Sequence, residues 1–289
     1  MSPSPPNNQV LIDDPAGRVR GADIVGPVAL VVAHPGHELM AFGWLATLQP
    51  LVFVVTDGSG RNADPRIEAS GVLLDRGLGT RASVFGRWTD RELYKALFEG
   101  RFDPFLELFE ELVDTWCSLG VRTAICDAYE GRILMHDVVQ IVASAAVAAC
   151  RGRGAEVDLL EMPIYLGPGD ARPGNPQEAA AFAASDETLK RKIEAARAYG
   201  STVVRHEVDE FLRLRSAEAF RVETLYHSIR RTPVELGLEP QPAWEAHGER
   251  LMEEGVYDRV IRLRDHLVPL ARALERPLGS TGTAQSVNP

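Results

Sequence analysis

The sequence predicts an α/β fold, a mostly parallel sheet covered by helices on both faces. Two continuous apolar runs, Val28–Ala33 and Leu51–Thr56, show none of the alternation expected of a strand with one wet face. Unbroken runs of this kind mark strands buried on both sides, as in parallel sheets. Stretches of helical spacing fall between the strand-like runs. Such alternation, with right-handed crossovers, gives a Rossmann-like layering.

Taken in order, Met1–Asn8 is rich in Pro, Ser and Asn and has neither the basic nor the apolar region of a signal peptide. After Val28–Ala33, Glu38–Leu48 reads as helix and Leu51–Thr56 as the second strand. A helix over Arg66–Arg76 precedes a third strand, Ala82–Phe85. Leu106–Leu119 and Met135–Cys150 carry apolar residues at helical spacing and flank a strand at Arg122–Cys126. A further strand follows at Val157–Glu161. The Gly- and Pro-rich stretch Gly167–Gln177 reads as a loop. Ser185 is placed as the N-cap of a helix running to about Tyr199. The remainder reads as helical and charged. Asp258–Glu275 is a helix packing on the domain or on a second subunit, so a homo-oligomer is among the expectations. Residues 1–20 are expected to be a flexible arm, 21–276 a single domain with a helical C-terminal part, and 277–289 a flexible tail.

The chain has 289 residues, 45% of them hydrophobic, which is enough for a substantial core. A net charge of −10 argues against nucleic-acid partners, because phosphate contacts need clustered Lys and Arg. Arg213–Arg215 and Arg230–Arg231 are short, acid-flanked and read as solvated helix faces. No apolar run reaches the roughly 18–20 residues of a membrane span. Cys117, Cys126 and Cys150 are widely spaced, without a CxxC pair, and read as reduced thiols of a cytoplasmic protein.

In open parallel sheets, ligands bind beyond the carboxyl ends of the strands. His34, Asp57 and Asp127 each follow a strand there. His34-Pro35-Gly36-His37-Glu38 places two histidines at a strand-to-helix turn, where both can face one cavity. His136 opens the Met135–Cys150 helix, where the positive end of the helix dipole favours a neutral ring. Neutral imidazole is the form that binds metal, and three histidines plus water make a known catalytic zinc set. The residues alone equally allow a hydrogen-bonding turn with incidental histidines and a solvent-facing His136. Gly77–Ala82 satisfies a Gly-x-Gly-x-x-Ala pattern, but it precedes a strand and lacks the strand-to-helix context of a dinucleotide site. His206, His227, His247 and His266 read as surface residues. Trp44, Trp88 and Trp116 read as core or half-buried, and Trp244 as a packing anchor. Arg61, Arg66 and Arg87 are placed in structural ion pairs, with contact to an anionic substrate as the alternative.

His34–Glu38 resembles the His-Pro-Asp-Asp-Glu signature of the PIG-L/LmbE-like family of zinc-dependent N-acetyl-sugar deacetylases. The likeness extends through Thr56-Asp57-Gly58, Arg66, Glu68 and Leu78-Gly79. It continues in Asp127–Gly131 followed by His136-Asp137, in Lys190–Ser201 and in Glu218–Arg221. It spans roughly residues 28 to 221. The resemblance implies an LmbE-like fold, a zinc ion, a small-molecule substrate and removal of an N-acyl group from an amino sugar or related metabolite. It assigns metal binding to His34, to His37 in place of an acidic ligand, and to His136.

Two departures bear on chemistry. Gly36 stands where the family carries its general base, and Ile133 stands where it carries a further histidine. Loss of a base costs roughly 10²–10⁴-fold in proton transfer. Replacing a carboxylate ligand by imidazole leaves the site more positive, which favours ionisation of water. Asp57 is the preferred stand-in base, with Glu130 also in a catalytic role. Glu38 and Asp127 are expected to orient ligand histidines. A non-catalytic relative that binds a ligand or partner, and an altered enzyme with another metal or none, are the alternatives.

Overall fold

The computed structural model describes residues 12–14, 17–21, 24–60, 65–165, 173–199, 209, 212–213, 217 and 219–275. Its frame is a nine-stranded sheet. In chain order the strands are β1 (Ile12–Asp14), β2 (Gly17–Gly21), β3 (Val28–Val32), β4 (Leu51–Thr56), β5 (Thr80–Trp88), β6 (Thr123–Asp127), β7 (Asp158–Met162), β8 (Glu178–Ala184) and β9 (Val222–His227). Across the sheet they run β1-β2-β8-β9-β7-β6-β3-β4-β5. The five from β7 to β5 are mutually parallel, and β1, β2, β8 and β9 extend the sheet antiparallel from β7.

The unbroken apolar runs have the burial that their composition requires. In β3, Ala29, Val31 and Ala33 face one core while Val28, Leu30 and Val32 face the other. In β4, Phe53 and Val55 join the first core and Val52 and Val54 the second. A fully buried Val, Leu or Phe stabilises by about 1.5–3 kcal/mol, so each residue of these strands contributes whichever way it points.

The first core lies under α3 (Asp90–Phe98), α4 (Asp103–Leu119), α5 (Leu134–Gly152) and the C-terminal helix. The second lies under a 3-10 turn, His37–Ala41, with α1 (Phe42–Leu48), α2 (Ile67–Leu74) and α6 (Asp186–Ala198). The remaining helices are α7 (Pro233–Leu238), α8 (Ala243–Glu253) and α9, a π-turn Leu263–Leu267 continuing as Val268–Leu274. Ser185 caps α6 by accepting the Thr188 N–H at 3.2 Å. By length and composition α5 is apolar enough to cross a membrane, but most of it is buried in the first core.

Several expectations need correction. Residues 17–20 are not a free arm, because β2 pairs with β8 from Gly17↔Ala184 to Gly21↔Ala180. The region after Tyr199 is not helical throughout. Val222–His227 forms β9, with Thr224 and Leu225 buried between β8 and β7. Glu178–Ala184 is strand despite its alanines, because the pairings to β2 and β9 override a weak local preference. The C-terminal helix starts at Leu263 rather than Asp258 and packs Leu267, Leu270 and Leu274 into the first core of the same chain. The expected tail, His206, Arg61, and the loop residues 167–172 lie outside the described residues.

Candidate metal centre

Strand order changes direction at β3. The chain winds outward through β4 and β5 on one side and through β6 and β7 on the other. The crevice between the carboxyl ends of β3 and β6 is therefore the switch point at which open α/β sheets bind ligands. Ala33 and His34 continue from β3, and Asp127 is the last residue of β6.

The turn after β3 is set by Gly36, whose φ of 109° is a conformation that L side chains rarely adopt. It sends the backbone back so that His34 and His37 converge, with ring centroids 5.3 Å apart. His136 enters from the first turn of α5, 5.5 Å from the His34 ring and 4.5 Å from the His37 ring. The three histidines separated in sequence therefore meet. Donor atoms of His37, Asp127 and His136 all lie within 4.8 Å of one another.

Each imidazole is held differently. His37 Nδ1 is 2.9 Å from Asp127 Oδ2, and the same oxygen accepts the Ala33 N–H at 2.7 Å. His34 Nδ1 lies 3.0 Å from Thr56 Oγ1 and 2.9 Å from Asp90 Oδ1. His136 is buried, and its Nδ1 has no hydrogen-bond partner. Tyr165 lies 5.7 Å from the His136 ring at an interplanar angle of 17°. Burial and the two neighbouring histidines push the His136 pKa well below the ordinary value, so the ring is neutral. His34 and His37 side chains keep 14% and 13% exposure, which leaves the cluster reachable from their side.

Among the described residues, His37, Asp127 and His136 are the group whose ligand atoms lie close enough to share a cation; His34 stands beside that group rather than in it. A buried, neutral imidazole with an unpartnered ring nitrogen faces a cost that a metal bond removes. Outer carboxylates on the other two histidines are the usual companions of metal-bound imidazole.

The carboxylates expected to act in catalysis have other work. Asp57 Oδ1 accepts the Ser59 N–H at 2.9 Å, which makes it the carboxylate of the turn after β4. Glu130 accepts the backbone N–H groups of Ile164 (3.3 Å) and Tyr165 (3.2 Å), so it fixes the segment that stacks on His136. Glu38 bonds no histidine. Its buried carboxylate takes the Gly36 N–H at 2.8 Å and the hydroxyls of Ser70 and Tyr199, and so holds the turn itself. Asp127, expected to orient a ligand histidine, lies against His37 through the 2.9 Å contact of its Oδ2. Asp137 points away from the cluster and accepts from Glu130 N, Gly131 N and the Trp244 indole. Burial raises its pKa to about 7 against the pull of those three donors. Trp244 is thus an anchor, through a hydrogen bond as well as packing.

Sequence reasoning missed Asp90. It begins α3, with Thr89 and Glu92 forming a reciprocal capping box. Burial alone would raise the Asp90 pKa. Its close contact with His34 and the Gly60 N–H instead lower it to about 2. The capping pattern Thr-Asp-Arg-Glu was visible in the sequence, but nothing local indicated that β5 would deliver it beside His34. Of the two described arginines weighed as anion contacts, Arg87 pairs with Glu107. Arg66 lies over Gly58, where a Cβ would collide with its guanidinium, with its Nε buried and unpartnered.

No family model and no curated protein matches the chain. Solved structures do. A deacetylase of teicoplanin biosynthesis, in complex with teicoplanin, has 16% identity and a TM-score of 0.51, covering 71% of this chain and 99% of that one. An antimicrobial pseudoaglycone deacetylase has 14% identity and a TM-score of 0.47, covering 70% and 97%. A conserved protein from Thermus thermophilus has 20% identity and a TM-score of 0.44, covering 70% and 95%. At these identities likeness bears on fold alone, and of the three the teicoplanin-complex deacetylase, at a TM-score of 0.51, is the one that supports the α/β architecture.

Proposed function

We propose that the chain is a metal-dependent hydrolase that removes an N-acyl group from an amino sugar or a related small metabolite. The observation that carries this is the meeting of His34, His37 and His136 at the β3/β6 crevice, with the unpartnered His136 Nδ1 among them. These three histidines would hold the cation, and zinc suits an all-nitrogen set. A bound zinc ion polarises an acyl carbonyl and makes water more acidic. The sequence resemblance to zinc-dependent N-acetyl-sugar deacetylases supports the reaction class, and the deacetylase whose fold is similar is consistent with it.

The surrounding residues fix and cover the cluster. Asp127 accepts at His37 Nδ1, which would leave Nε2 of His37 to hold a cation. Tyr165, secured through Glu130, covers one face of His136 and excludes water there. Gly36 provides no base. Asp57 is committed to its turn, whereas Asp127 Oδ1 is buried beside the cluster without a hydrogen-bond partner. Asp127 therefore replaces Asp57 as the carboxylate best placed to accept a proton.

The test is a panel of N-acetylated amino sugars offered to the zinc-loaded chain, with free amine as the readout. Amine release that stops on chelation and returns with zinc supports the reading. Stoichiometric metal without amine release from any member would favour a ligand-binding relative. Absence of both would remove the metal centre.

A further inference from the structure

We infer that Asp90 is a positioning residue for His34, setting which ring nitrogen faces the cluster. The inference rests on the metal-centre reading for its purpose but not for its geometry. Thr56 Oγ1 donates its only proton to the Ala33 carbonyl at 3.1 Å, so towards His34 Nδ1 it can only accept. Asp90 Oδ1 lies 2.9 Å from the same nitrogen, outside hydrogen-bond geometry, and its carboxylate charge also favours a proton there. His34 therefore carries a proton on Nδ1, which in the neutral ring leaves the lone pair on Nε2.

The carboxylate is itself held in place. Gly60 N–H donates to Asp90 Oδ2 at 2.8 Å, and the capping box at Thr89 fixes the first turn of α3. The side chain keeps only 9% exposure, so water does not compete for it. Asp90 meets His34 as a close charge contact, where Asp127 meets His37 through a hydrogen bond. The two carboxylates come from opposite sides of β3, one after β5 and one on β6. Both favour a proton on Nδ1, which leaves Nε2 of each neutral ring as the nitrogen free to bind a cation. A cation held this way depends on Asp90 although Asp90 does not touch it.

Two measurements on the full chain test the inference. The first is the NMR tautomer signature of His34 in ¹⁵N-histidine-labelled protein without metal. It should report Nδ1–H in the wild type and a mixture in Asp90→Ala. An Nε2–H ring in the wild type, or an unchanged ring in the variant, overturns the inference whether or not the chain binds metal. The second is zinc affinity by competition with a chromophoric chelator. Asp90→Ala should bind about 10–100-fold more weakly. Arg87→Ala, which removes the surface pair with Glu107 on the strand leading to α3, should retain wild-type affinity. Equal losses in both variants would mean that this segment acts only as scaffold, and the inference fails. If the wild type binds no zinc, the metal-centre reading falls and the tautomer alone decides the role of Asp90.

Discussion

Asp127 Oδ2 stands 2.9 Å from His37 Nδ1 while accepting the Ala33 N–H at 2.7 Å. One carboxylate at the end of β6 therefore secures both the end of β3 and the imidazole beyond it. Asp127→Ala should lower zinc affinity by about 10–100-fold. It should also cost about 1–3 kcal/mol of stability, because the buried Ala33 N–H loses its acceptor. Chelator competition and urea unfolding read the two effects separately. Retention of both within error would show that the carboxylate orients nothing.

Gly36, at φ 109°, aligns through the sequence resemblance with an aspartate of the His-Pro-Asp-Asp-Glu signature. A side chain there strains the backbone by about 1–2 kcal/mol. Gly36→Asp should therefore lower Tm without raising amine release from N-acetyl sugars. A stable, more active variant would show that the turn accommodates the family's carboxylate after all.

Glu130 is a scaffold for Tyr165 rather than a proton carrier. Glu130→Ala should cost about 1–3 kcal/mol by leaving the Ile164 and Tyr165 amides without their acceptor. Amine release at saturating substrate, on protein that remains folded, should fall less than for Asp127→Ala. A larger fall than for Asp127→Ala would return Glu130 to the chemistry.

Glu161 gives stability a pH dependence of defined sign. Burial raises its pKa above 4.5, against the donors Ser228, Gln140 and Tyr129 and the charge of Arg231. The folded chain thus holds this proton more tightly than the unfolded chain. The contribution is complete below the unfolded value of 4.5 and is lost as pH rises through the higher folded value. Glu161→Gln should flatten the stability profile across that window in urea titrations at acid and neutral pH. A profile parallel to the wild type would refute the assignment.

The parallel half of the sheet was legible because β3 and β4 are apolar without alternation, a pattern that physics allows only for strands covered on both faces. The strands β2, β8 and β9 were not legible. Their residues include alanine, arginine and glutamate, whose strand conformation comes from partners distant in sequence. The histidines of the cluster could be read from strand ends and spacing. Their carboxylate partners could not be assigned in the same way. Asp57, Glu130 and Asp127 look alike as acids at strand ends, and only the fold decides that one caps a turn, one holds amides and one meets an imidazole. Asp90 was invisible for the same reason, since its partner His34 lies 56 residues earlier.

Elemental analysis of the purified chain, beside His37→Ala and His136→Ala, tests the metal centre most directly. About one zinc per wild-type chain, lost in both variants while they remain folded by circular dichroism, is the expected result. Wild-type protein without metal after incubation with zinc, or variants that keep a full complement, would contradict it.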